Sequence, residues 1–251
     1  MFNAVKVKDE LVQWIRDWFE NNGKGCNAVI GISGGKDSTI AAALCVEALG
    51  KDRVFGVRMP NGYQSDLKDA EAVVKYLGIP SWECNINKMF SAFTDEITWT
   101  VVGSSMAKGL SDQTIINLPP RIRMTTLYAI SQSINGRVVC TDNLSESYIG
   151  YSTRWGDNVG DFAPLANLTT DEVVAIGDAL GLPYELVHKT PTDGLCGKTD
   201  EDNFGFTYAV LNKYIRTGVC EDEEVKRLID ERHKKNLFKL QPIPSFKFIY
   251  E

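Results

Sequence analysis

The sequence predicts a single-domain α/β protein, built on a doubly wound, mostly parallel sheet with helices on both faces. A continuous apolar run from Ala28 to Ile32 is typical of a strand buried on both faces, and it ends at Gly34 and Gly35, before an alanine-rich helical pattern. Further short apolar strands follow, each separated from the next by a segment with helical spacing, as in βαβ units. With 251 residues, 43% of them hydrophobic, the chain can bury one full core, so we expect one domain over residues 1–251.

The first half of the chain alternates helical and strand patterns. Leu11, Ile15 and Phe19 repeat at helical spacing and predict an amphipathic first helix. Glycines that follow the apolar patterns, such as Gly50 and Gly78, predict where later helices end. The predicted helices cover residues 8–21, 38–49, 65–77 and 89–99, and the predicted strands after the first cover 54–57 and 82–86.

The second half of the chain begins with residues 103–116, which lack periodicity and contain two glycines, so we expect a mobile loop there. Asn117 then opens a helix that reaches Ile134, with two prolines in its first turn. A capping box that starts at Thr169 opens another helix. The remaining predictions are a strand over 137–140, long loops over 150–164 and 188–203, and helices over 204–216 and 221–235.

Residues 33–38, Ser-Gly-Gly-Lys-Asp-Ser, form the turn between the first strand and its helix. Glycines let the backbone approach a ligand, and the free N–H groups at Asp37 and Ser38 carry the positive end of the helix dipole, so we expect this turn to bind phosphate. It is not a Walker A loop, because Lys36 is followed by Asp37 and Ile30 stands where that motif needs its first glycine. The alternative is an ordinary glycine turn whose Asp37 and Ser38 only favour the helix.

A magnesium site is predicted beside this turn. A carboxylate next to bound phosphates is the usual way in which proteins hold Mg²⁺, and Asp37 has that position, while Lys36 would neutralise phosphate charge. Residues 141–146 directly follow the predicted strand 137–140, so Thr141 and Glu146 fall at the same edge of the sheet. Glu146 is therefore a candidate second carboxylate for the metal, although taken alone it would be a surface residue.

Two arginines, Arg121 and Arg123, stand near the start of the helix that Asn117 opens. Cations favour the opposite end of a helix, so this placement near the predicted ligand edge indicates anion recognition. The alternative is a solvated pair, since residues two apart point in different directions. The glycine-rich loop 150–164 also carries charged side chains, and long loops in compact domains are usually functional.

The composition argues against several classes of protein. The 27 basic and 33 acidic side chains give a net charge of −6, so we expect a small-molecule substrate and no nucleic-acid partner. The six cysteines form no Cys-x-x-Cys pair and do not cluster with the two histidines, which argues against zinc and indicates core thiols in a reducing compartment. No apolar leader and no apolar run of about eighteen residues occurs. We therefore expect a soluble, cytoplasmic protein with no membrane partner.

Six segments together resemble the ammonia-dependent NAD synthetases. Residues 33–38 are similar to the phosphate loop of the wider ATP pyrophosphatase superfamily, whose members cleave ATP to AMP and pyrophosphate, and the later segments are more specific. The resemblance implies the adenine nucleotide alpha hydrolase-like fold of that superfamily. The six segments are 33–38, 59–66, 117–124, 141–146, 154–161 and 189–193.

The resemblance implies an activity in two steps. Such enzymes first adenylate the nicotinate carboxylate of deamido-NAD with ATP, and ammonia then displaces AMP to give NAD. Mg²⁺ is the implied cofactor, with deamido-NAD, ATP and ammonia as substrates, since no glutamine-hydrolysing domain fits within 251 residues. A homodimer is also implied, for which the aromatic first helix and the Asn117 helix are candidate contact surfaces.

The resemblance also assigns roles to individual residues. Asp37 and Glu146 would hold Mg²⁺, and the residues that would carry the catalysis are Lys36, Asp37 and Asp161. The positions that would bind ATP are Gly31, Ile32, Ser33, Gly34, Gly35, Lys36, Asp37, Ser38, Arg58, Thr141 and Thr192. The positions that would bind deamido-NAD are Arg121, Arg154, Asp161, His233 and Lys234.

Three positions depart from the family pattern. Arg154 stands where relatives commonly carry lysine, which keeps the charge and changes the donor geometry. Thr170 stands where many carry an ATP-contacting lysine, and its place in the capping box explains it structurally. Cys140 occupies a position that is usually glycine.

Two other functions share the phosphate turn. One is an ATP pyrophosphatase that adenylates a tRNA base or a different carboxylate, against which the later segments and the acidic balance argue. The other is a nucleotide-binding module without turnover, against which the retained Lys36, Asp37 and Glu146 argue.

Overall fold

Four parallel strands form the central sheet of the computed structural model, which describes residues 2–64, 67–104, 108–188 and 200–248. The strands are β1 (Asn27–Gly31), β2 (Val54–Arg58), β3 (Ser81–Glu83) and β4 (Gly136–Val138), and they lie in the order β3-β2-β1-β4. Ala28 pairs with Val54 on one side of β1 and with Arg137 on the other. The strand order places the end of β1 between those of β2 and β4, in the middle of the sheet.

Helices connect these strands and continue beyond the last of them. Their bounds are α1 (Ala4–Asn22), α2 (Lys36–Leu49), α3 (Leu67–Leu77), α4 (Asn87–Gly103), α5 (Asp112–Ser133), α6 (Leu144–Ile149), α7 (Thr170–Ala179), α8 (Tyr184–Val187), α9 (Asp200–Phe204), α10 (Tyr208–Thr217) and α11 (Glu223–Leu240). None of these helices, over the ranges described, is long and apolar enough to cross a membrane.

Both faces of the sheet are covered, as the continuous apolar run in β1 predicts. Alternate residues of a strand point to opposite faces, so Ala28 and Ile30 pack in the core beneath α1, α2 and α7, while Val29 packs with Ile122 of α5 on the other side. The prediction of a parallel α/β fold with helices on both faces is confirmed.

A third apolar cluster lies between α6, α10 and α11. Its buried members are Ile149, Phe204, Phe206, Tyr208, Leu211 and Ile229. This cluster attaches the last helices of the chain to α6, which starts just beyond the end of β4. The C-terminal helices are thereby held close to the edge of the sheet where the sequence places the ligand.

The structure corrects several predicted bounds. The prediction of a loop over 103–116 is wrong for its second part, because helix α5 already begins at Asp112. Ser111 caps this helix by accepting from the N–H of Thr114. Pro119 and Pro120 therefore lie inside α5 and not in its first turn. Helix α6 was missed, since six residues are too few for a visible period. Residues 200–203 of the second predicted loop are helical, and residues 189–199 lie outside the described part of the chain.

Candidate active site at the carboxyl ends of the strands

The turn between β1 and α2 is shaped by its own hydroxyl groups. Gly35 is the N-cap of α2 and donates its N–H to Ser33 Oγ over 3.1 Å. Ser38 Oγ and Thr39 Oγ1 both donate to the carbonyl of Gly35, over 3.1 and 2.8 Å. Because glycine has no side chain to cap the helix, the N–H groups of the first turn of α2 remain available to an anion.

Gly34 is required by both its backbone and its neighbours. Its φ of +81° lies in the left-handed region, and a Cβ built there would be 2.7 Å from the backbone nitrogen of Ala70 and 2.7 Å from Asp69 Cβ. The N-terminal turn of α3 therefore packs directly on this turn. The strand–turn–helix order around this turn is as predicted, whereas its contact with the start of α3 was not predicted.

Lys36 and Asp37 form the charged part of the site. Lys36 is only 6% exposed, and its Nζ lies 2.8 Å from Asp37 Oδ2. Asp37 Oδ1 accepts from Asn143 Nδ2 over 3.1 Å, and Asn143 Oδ1 in turn accepts from the N–H of Glu146 over 3.0 Å. One asparagine thus links the carboxylate on α2 to the first turn of α6, which carries Glu146.

Asn143 was not predicted as a site residue. The available signal was the Asn-x-x-Glu spacing of residues 143–146, since asparagine followed three residues later by glutamate marks the start of a helix. What the sequence could not show is that the amide of this N-cap residue also reaches Asp37 across the edge of the sheet.

Two further carboxyl groups, those of the buried Asp142 and the more exposed Asp157, lie close to one another at this edge of the sheet, and Asp142 is also near Asp37. Burial raises the pKa of Asp142 to about 8, and the charges of Asp157 and Asp37 add to the effect. Burial also raises the pKa of Asp157, although the N–H of Thr153 donates to it. The site therefore brings several carboxyl groups together, and burial favours the neutral form of Asp142. Neither residue was predicted from the sequence to be part of the site.

Cys140 lies at the same edge and has no sign of reactivity. The side chain is buried, and burial, followed by the nearby charge of Asp142, raises the pKa of its thiol to about 12. A thiolate is the nucleophilic form of cysteine, so this residue stays an inert thiol at neutral pH.

Arg58 ends β2 beside the phosphate-binding turn. Its Nη1 donates to Glu71 of α3 and to Glu83 of β3, each over 3.2 Å. Its Nε is buried and has no hydrogen-bond acceptor among the described residues. Arg58 is thus anchored by two carboxylates and keeps one donor unused, which suits the predicted ATP contact.

Arg121 and Arg154 meet although 33 positions separate them. Arg121 Nε donates to the carbonyl of Arg154 over 3.4 Å. The guanidinium of Arg154 lies 4.9 Å from the ring centroid of Trp155 and 5.3 Å from that of Phe238 on α11. Arg154 Nε is buried and finds no acceptor in the described part of the chain, so a cationic group with an unused donor lies there. Arg123 instead donates to the carbonyl of Met59 over 3.0 Å.

The Asp161 carboxylate accepts two hydrogen bonds from other parts of the chain. Its Oδ2 accepts from the N–H of Val138 over 2.7 Å, and its Oδ1 accepts from the hydroxyl of Tyr128 over 3.3 Å. Burial, followed by the charge of Asp161, raises the pKa of Tyr128 to about 12. Val139 and Phe162 form a parallel bridge next to these contacts. Asp161 therefore fixes the end of the loop 150–162 against β4.

His233 and Lys234 lie on different sides of α11. His233 stacks on Tyr148 of α6 with ring centroids 4.0 Å apart, and its Nδ1 donates to the carbonyl of Tyr148 over 2.7 Å. Lys234 is exposed on the outer side of the helix, in a shallow groove that Asp230 and Glu231 also line. The structure therefore does not bring these two predicted substrate-binding residues to one point.

The remaining predicted ATP-binding positions divide into three cases. Gly31 and Ile32 end β1 and lead into the turn, and Thr141 is half-buried beyond β4. Thr170, which was not one of these predicted positions, is the first residue of α7, where the capping box of Thr169 and Glu172 is present. Its buried Oγ1 has no partner among the residues described. Thr192 lies outside the described residues.

This geometry defines a class of protein. A parallel α/β sheet presents, at the carboxyl ends of its strands, a glycine turn with open N–H groups and a buried lysine paired with an aspartate, an arrangement typical of nucleotide-binding proteins. Residues 7–247 match the model of the NAD synthase family. The chain belongs to this family.

Individual relatives are similar to this chain over nearly its whole length. The NH(3)-dependent NAD(+) synthetase of Finegoldia magna is 35% identical over 249 residues, which cover 98% of this chain and 98% of the relative. Two solved structures are similar in fold. The NMN synthetase of Francisella tularensis has a TM-score of 0.86 at 30% identity, covering 99% and 100% of the two chains. The NH3-dependent NAD synthetase of Campylobacter jejuni, in complex with a nitrate ion, has a TM-score of 0.78 at 26% identity, covering 98% and 100%.

Proposed function

We propose that this protein amidates deamido-NAD to NAD with ATP and ammonia, through a deamido-NAD adenylate, and that it releases AMP and pyrophosphate. The observation that carries this proposal is the phosphate-binding turn at residues 33–38, with Lys36 and Asp37 at its helix start and Asn143 linking it to Glu146. The relatives named NH(3)-dependent NAD(+) synthetase, which match over nearly the full length of this chain, support the choice of reaction.

The first step forms one bond and breaks one. An oxygen of the nicotinate carboxylate attacks the α-phosphorus of ATP, and the bond from that phosphorus to the bridging oxygen breaks, so pyrophosphate leaves with the electron pair. Lys36 and the open N–H groups of α2 neutralise the charge that develops on the leaving group. Arg58, with its unused Nε, lies at the neighbouring strand end and contacts the nucleotide.

In the second step ammonia attacks the carbonyl carbon of the adenylate. The bond from this carbon to the phosphate oxygen breaks, AMP leaves, and the nitrogen loses one proton to give the amide. Arg121 and Arg154 bind an anionic group of the acid substrate, because Arg121 donates to the backbone carbonyl of Arg154 and Arg154 keeps a buried donor unused. The reaction needs no cysteine nucleophile, and Cys45 and Cys140 are unsuited to that role because burial raises the pKa of each thiol to about 12.

Mg²⁺ fits the residues present. Asp37 and Glu146 would hold it together with phosphate oxygens and water, because Mg²⁺ in nucleotide sites usually takes only one or two carboxylates from the protein. The described residues contain no group of three or more histidine, cysteine, aspartate or glutamate side chains that could hold a metal by themselves. When bound, the ion would supply positive charge to the triphosphate.

We also propose that the protein forms a homodimer and is located in the cytoplasm. The neighbouring helices α4 and α5 expose large apolar side chains, among them Trp99 at 81% and Ile116 at 49%, which supports an interface on this side. The aromatic stripe of α1 is a weaker candidate, since Trp18 and Phe19 pack on Phe162 inside the protein. The five described cysteines are free thiols, as expected in a reducing compartment.

A second candidate is the amidation of nicotinate mononucleotide to nicotinamide mononucleotide by the same two steps. The similarity in fold and length to the protein named NMN synthetase supports it. The chemistry at the carboxylate is the same in both reactions, and only the part of the substrate beyond the first phosphate differs.

Steady-state assays with each of the two acid substrates distinguish the two candidate functions. The purified protein is given ATP, Mg²⁺ and ammonium salt with deamido-NAD or with nicotinate mononucleotide, and the amide product, AMP and pyrophosphate are measured. We expect a higher kcat/KM for deamido-NAD. A higher value for the mononucleotide would favour the second candidate, and turnover of neither acid would refute both.

A further inference from the structure

Three side chains of α11 donate hydrogen bonds to the backbone at the end of α6 and at the residue that follows it. His233, Asn236 and Lys239 donate to three successive carbonyls, those of residues 148, 149 and 150, over 2.7, 3.2 and 2.7 Å. Residues spaced by three lie along one side of a helix, so the three side chains form a single stripe. Lys239 Nζ also donates to the carbonyl of Ser152 over 2.9 Å.

These bonds fall where α6 needs partners. The last carbonyls of a helix accept no hydrogen bond from within the helix, and a cation near them stabilises the helix end. Gly150 ends α6 with a φ of +68°, and a Cβ built on it would lie 2.1 Å from Asn236 Cβ, so α11 touches the backbone there. The start of the loop 150–162 is therefore fixed from outside, by the C-terminal half of α11.

The loop that starts at this point carries residues of the site. Arg154 and Asp157 follow Ser152 within a few positions, and the residue before Lys239, Phe238, stacks on Arg154. Lys239 is half-buried, and the carboxylates of Asp157 and Asp142 lie close enough to act on its charge. A single turn of α11 thus contacts the loop both at its backbone and at the Arg154 side chain.

We propose that Lys239 is a positioning residue for the acid substrate: its ammonium group holds the carbonyls of Gly150 and Ser152 and so keeps Arg154 where the substrate's anionic group binds. The expected effect on substrate binding rests on the proposed function. Asp37 in the phosphate-binding turn is bonded to Asn143, whereas Lys239 is bonded to the start of the loop that carries Arg154, so we expect Lys239 to act mainly on the acid substrate.

The test compares three variants in the full-length protein. Lys239→Met removes the charge and the donors while keeping most of the side-chain length, Lys239→Arg keeps both charge and donors, and Lys235→Met removes an exposed lysine of the same helix as a matched control. We expect Lys239→Met to raise the KM for the acid substrate about tenfold with the KM for ATP within about twofold, since small displacements of binding groups have effects of this order or larger. Lys239→Arg should restore most of the loss, and Lys235→Met should behave as wild type.

Hydrogen–deuterium exchange supplies a readout that does not need turnover. In Lys239→Met, amides of residues 151–162 should exchange faster than in wild type, while those of β1 and α2 keep their rates. Equal KM changes for both substrates, unchanged kinetics, or exchange that rises throughout the chain would each overturn the proposal. If Lys239→Met does not fold, Lys239→Gln takes its place under the same criteria. If wild type turns over neither acid, the proposed function fails, and the exchange result alone decides whether Lys239 holds the loop.

Discussion

Asn143 links the carboxylate of Asp37 to the backbone of Glu146, the two residues proposed to hold Mg²⁺. It donates from Nδ2 to Asp37 Oδ1 over 3.1 Å, and it accepts with Oδ1 from the N–H of Glu146 over 3.0 Å. Because Asn143 is itself fully buried, this link holds the first turns of α2 and α6 at a fixed separation. The catalytic predictions depend on this arrangement.

Asp37→Asn should reduce kcat by about 100-fold or more while leaving the fold intact, because it removes a charge placed beside the reacting phosphates. The amide can still accept from Asn143, but the buried Lys36 loses its ion pair with this carboxylate, so the melting temperature should fall while the protein still folds. Asp52→Asn, which alters an exposed carboxylate after α2, is the control and should keep wild-type turnover. An Asp37→Asn variant with wild-type kinetics would rule out its assignment as a metal ligand.

Gly34→Ala should abolish measurable ATP binding and destabilise the protein by about 1–3 kcal/mol, because the new Cβ would meet the backbone of Ala70 at 2.7 Å. Isothermal titration with a non-hydrolysable ATP analogue, together with urea unfolding, measures both effects. Gly50→Ala is the matched control, since Gly50 has a similar φ of +84° but nothing within 4 Å of its Cβ position. It should lose stability through strain alone and keep its ATP affinity. Equal ATP affinities for the two variants would contradict the account.

Asp161→Ala should cost about 1–3 kcal/mol in the free energy of unfolding, because the N–H of Val138 is left buried without its acceptor. Tyr128→Phe removes only the 3.3 Å hydrogen bond to the same carboxylate and should cost less than about 1 kcal/mol. Urea denaturation of both variants measures the difference. If Asp161→Ala is as stable as wild type, the carboxylate does not hold the loop to β4.

Asp142→Asn should change how stability depends on pH. A carboxyl group whose pKa is higher in the folded than in the unfolded protein binds more protons when folded, so the free energy of unfolding falls as the pH rises between the two pKa values. For Asp142 this window runs from the ordinary 3.8 to about 8, with burial as the main cause. The variant lacks this penalty, so its melting temperature should exceed that of wild type by an amount that grows from about pH 5 to about pH 8.

The measurement for Asp142 is made without Mg²⁺ or nucleotide, since a cation nearby would favour the ionised carboxylate. Asp52→Asn, at an exposed position, should show no such trend. A difference in melting temperature that stays constant across this pH range would mean that Asp142 is ionised throughout in the folded protein.

Much of the fold could be predicted from local patterns. The apolar run in β1, the glycines that end α2 and α3, and the capping box of α7 all act within a few residues, and each was located correctly. The start of α5 was placed too late, because two prolines suggested a first turn while Ser111 was the actual cap. Helix α6 has six residues, which is too short for periodicity to reveal.

The site was predictable only in part, for a physical reason. The turn at residues 33–38 is local in sequence, so its form followed from residue types alone. The partners of these residues come from distant segments: Asn143 reaches Asp37 across 106 positions, and Phe238 reaches Arg154 through the packing of α11. Spacing within one segment carries no information about such contacts. The position of Lys234 on another side of α11 from His233 is instead a local effect, because consecutive helix residues point about 100° apart.

Oxygen transfer tests the central claim most directly. Deamido-NAD labelled with ¹⁸O in its nicotinate carboxylate is turned over with ATP, Mg²⁺ and ammonium salt, and the nucleotide products are analysed by mass spectrometry. If the carboxylate attacks the α-phosphorus held beside Lys36 and Asp37, one labelled oxygen must appear in AMP, with unlabelled pyrophosphate. Label found in orthophosphate alongside ADP, or AMP free of label, would contradict the account.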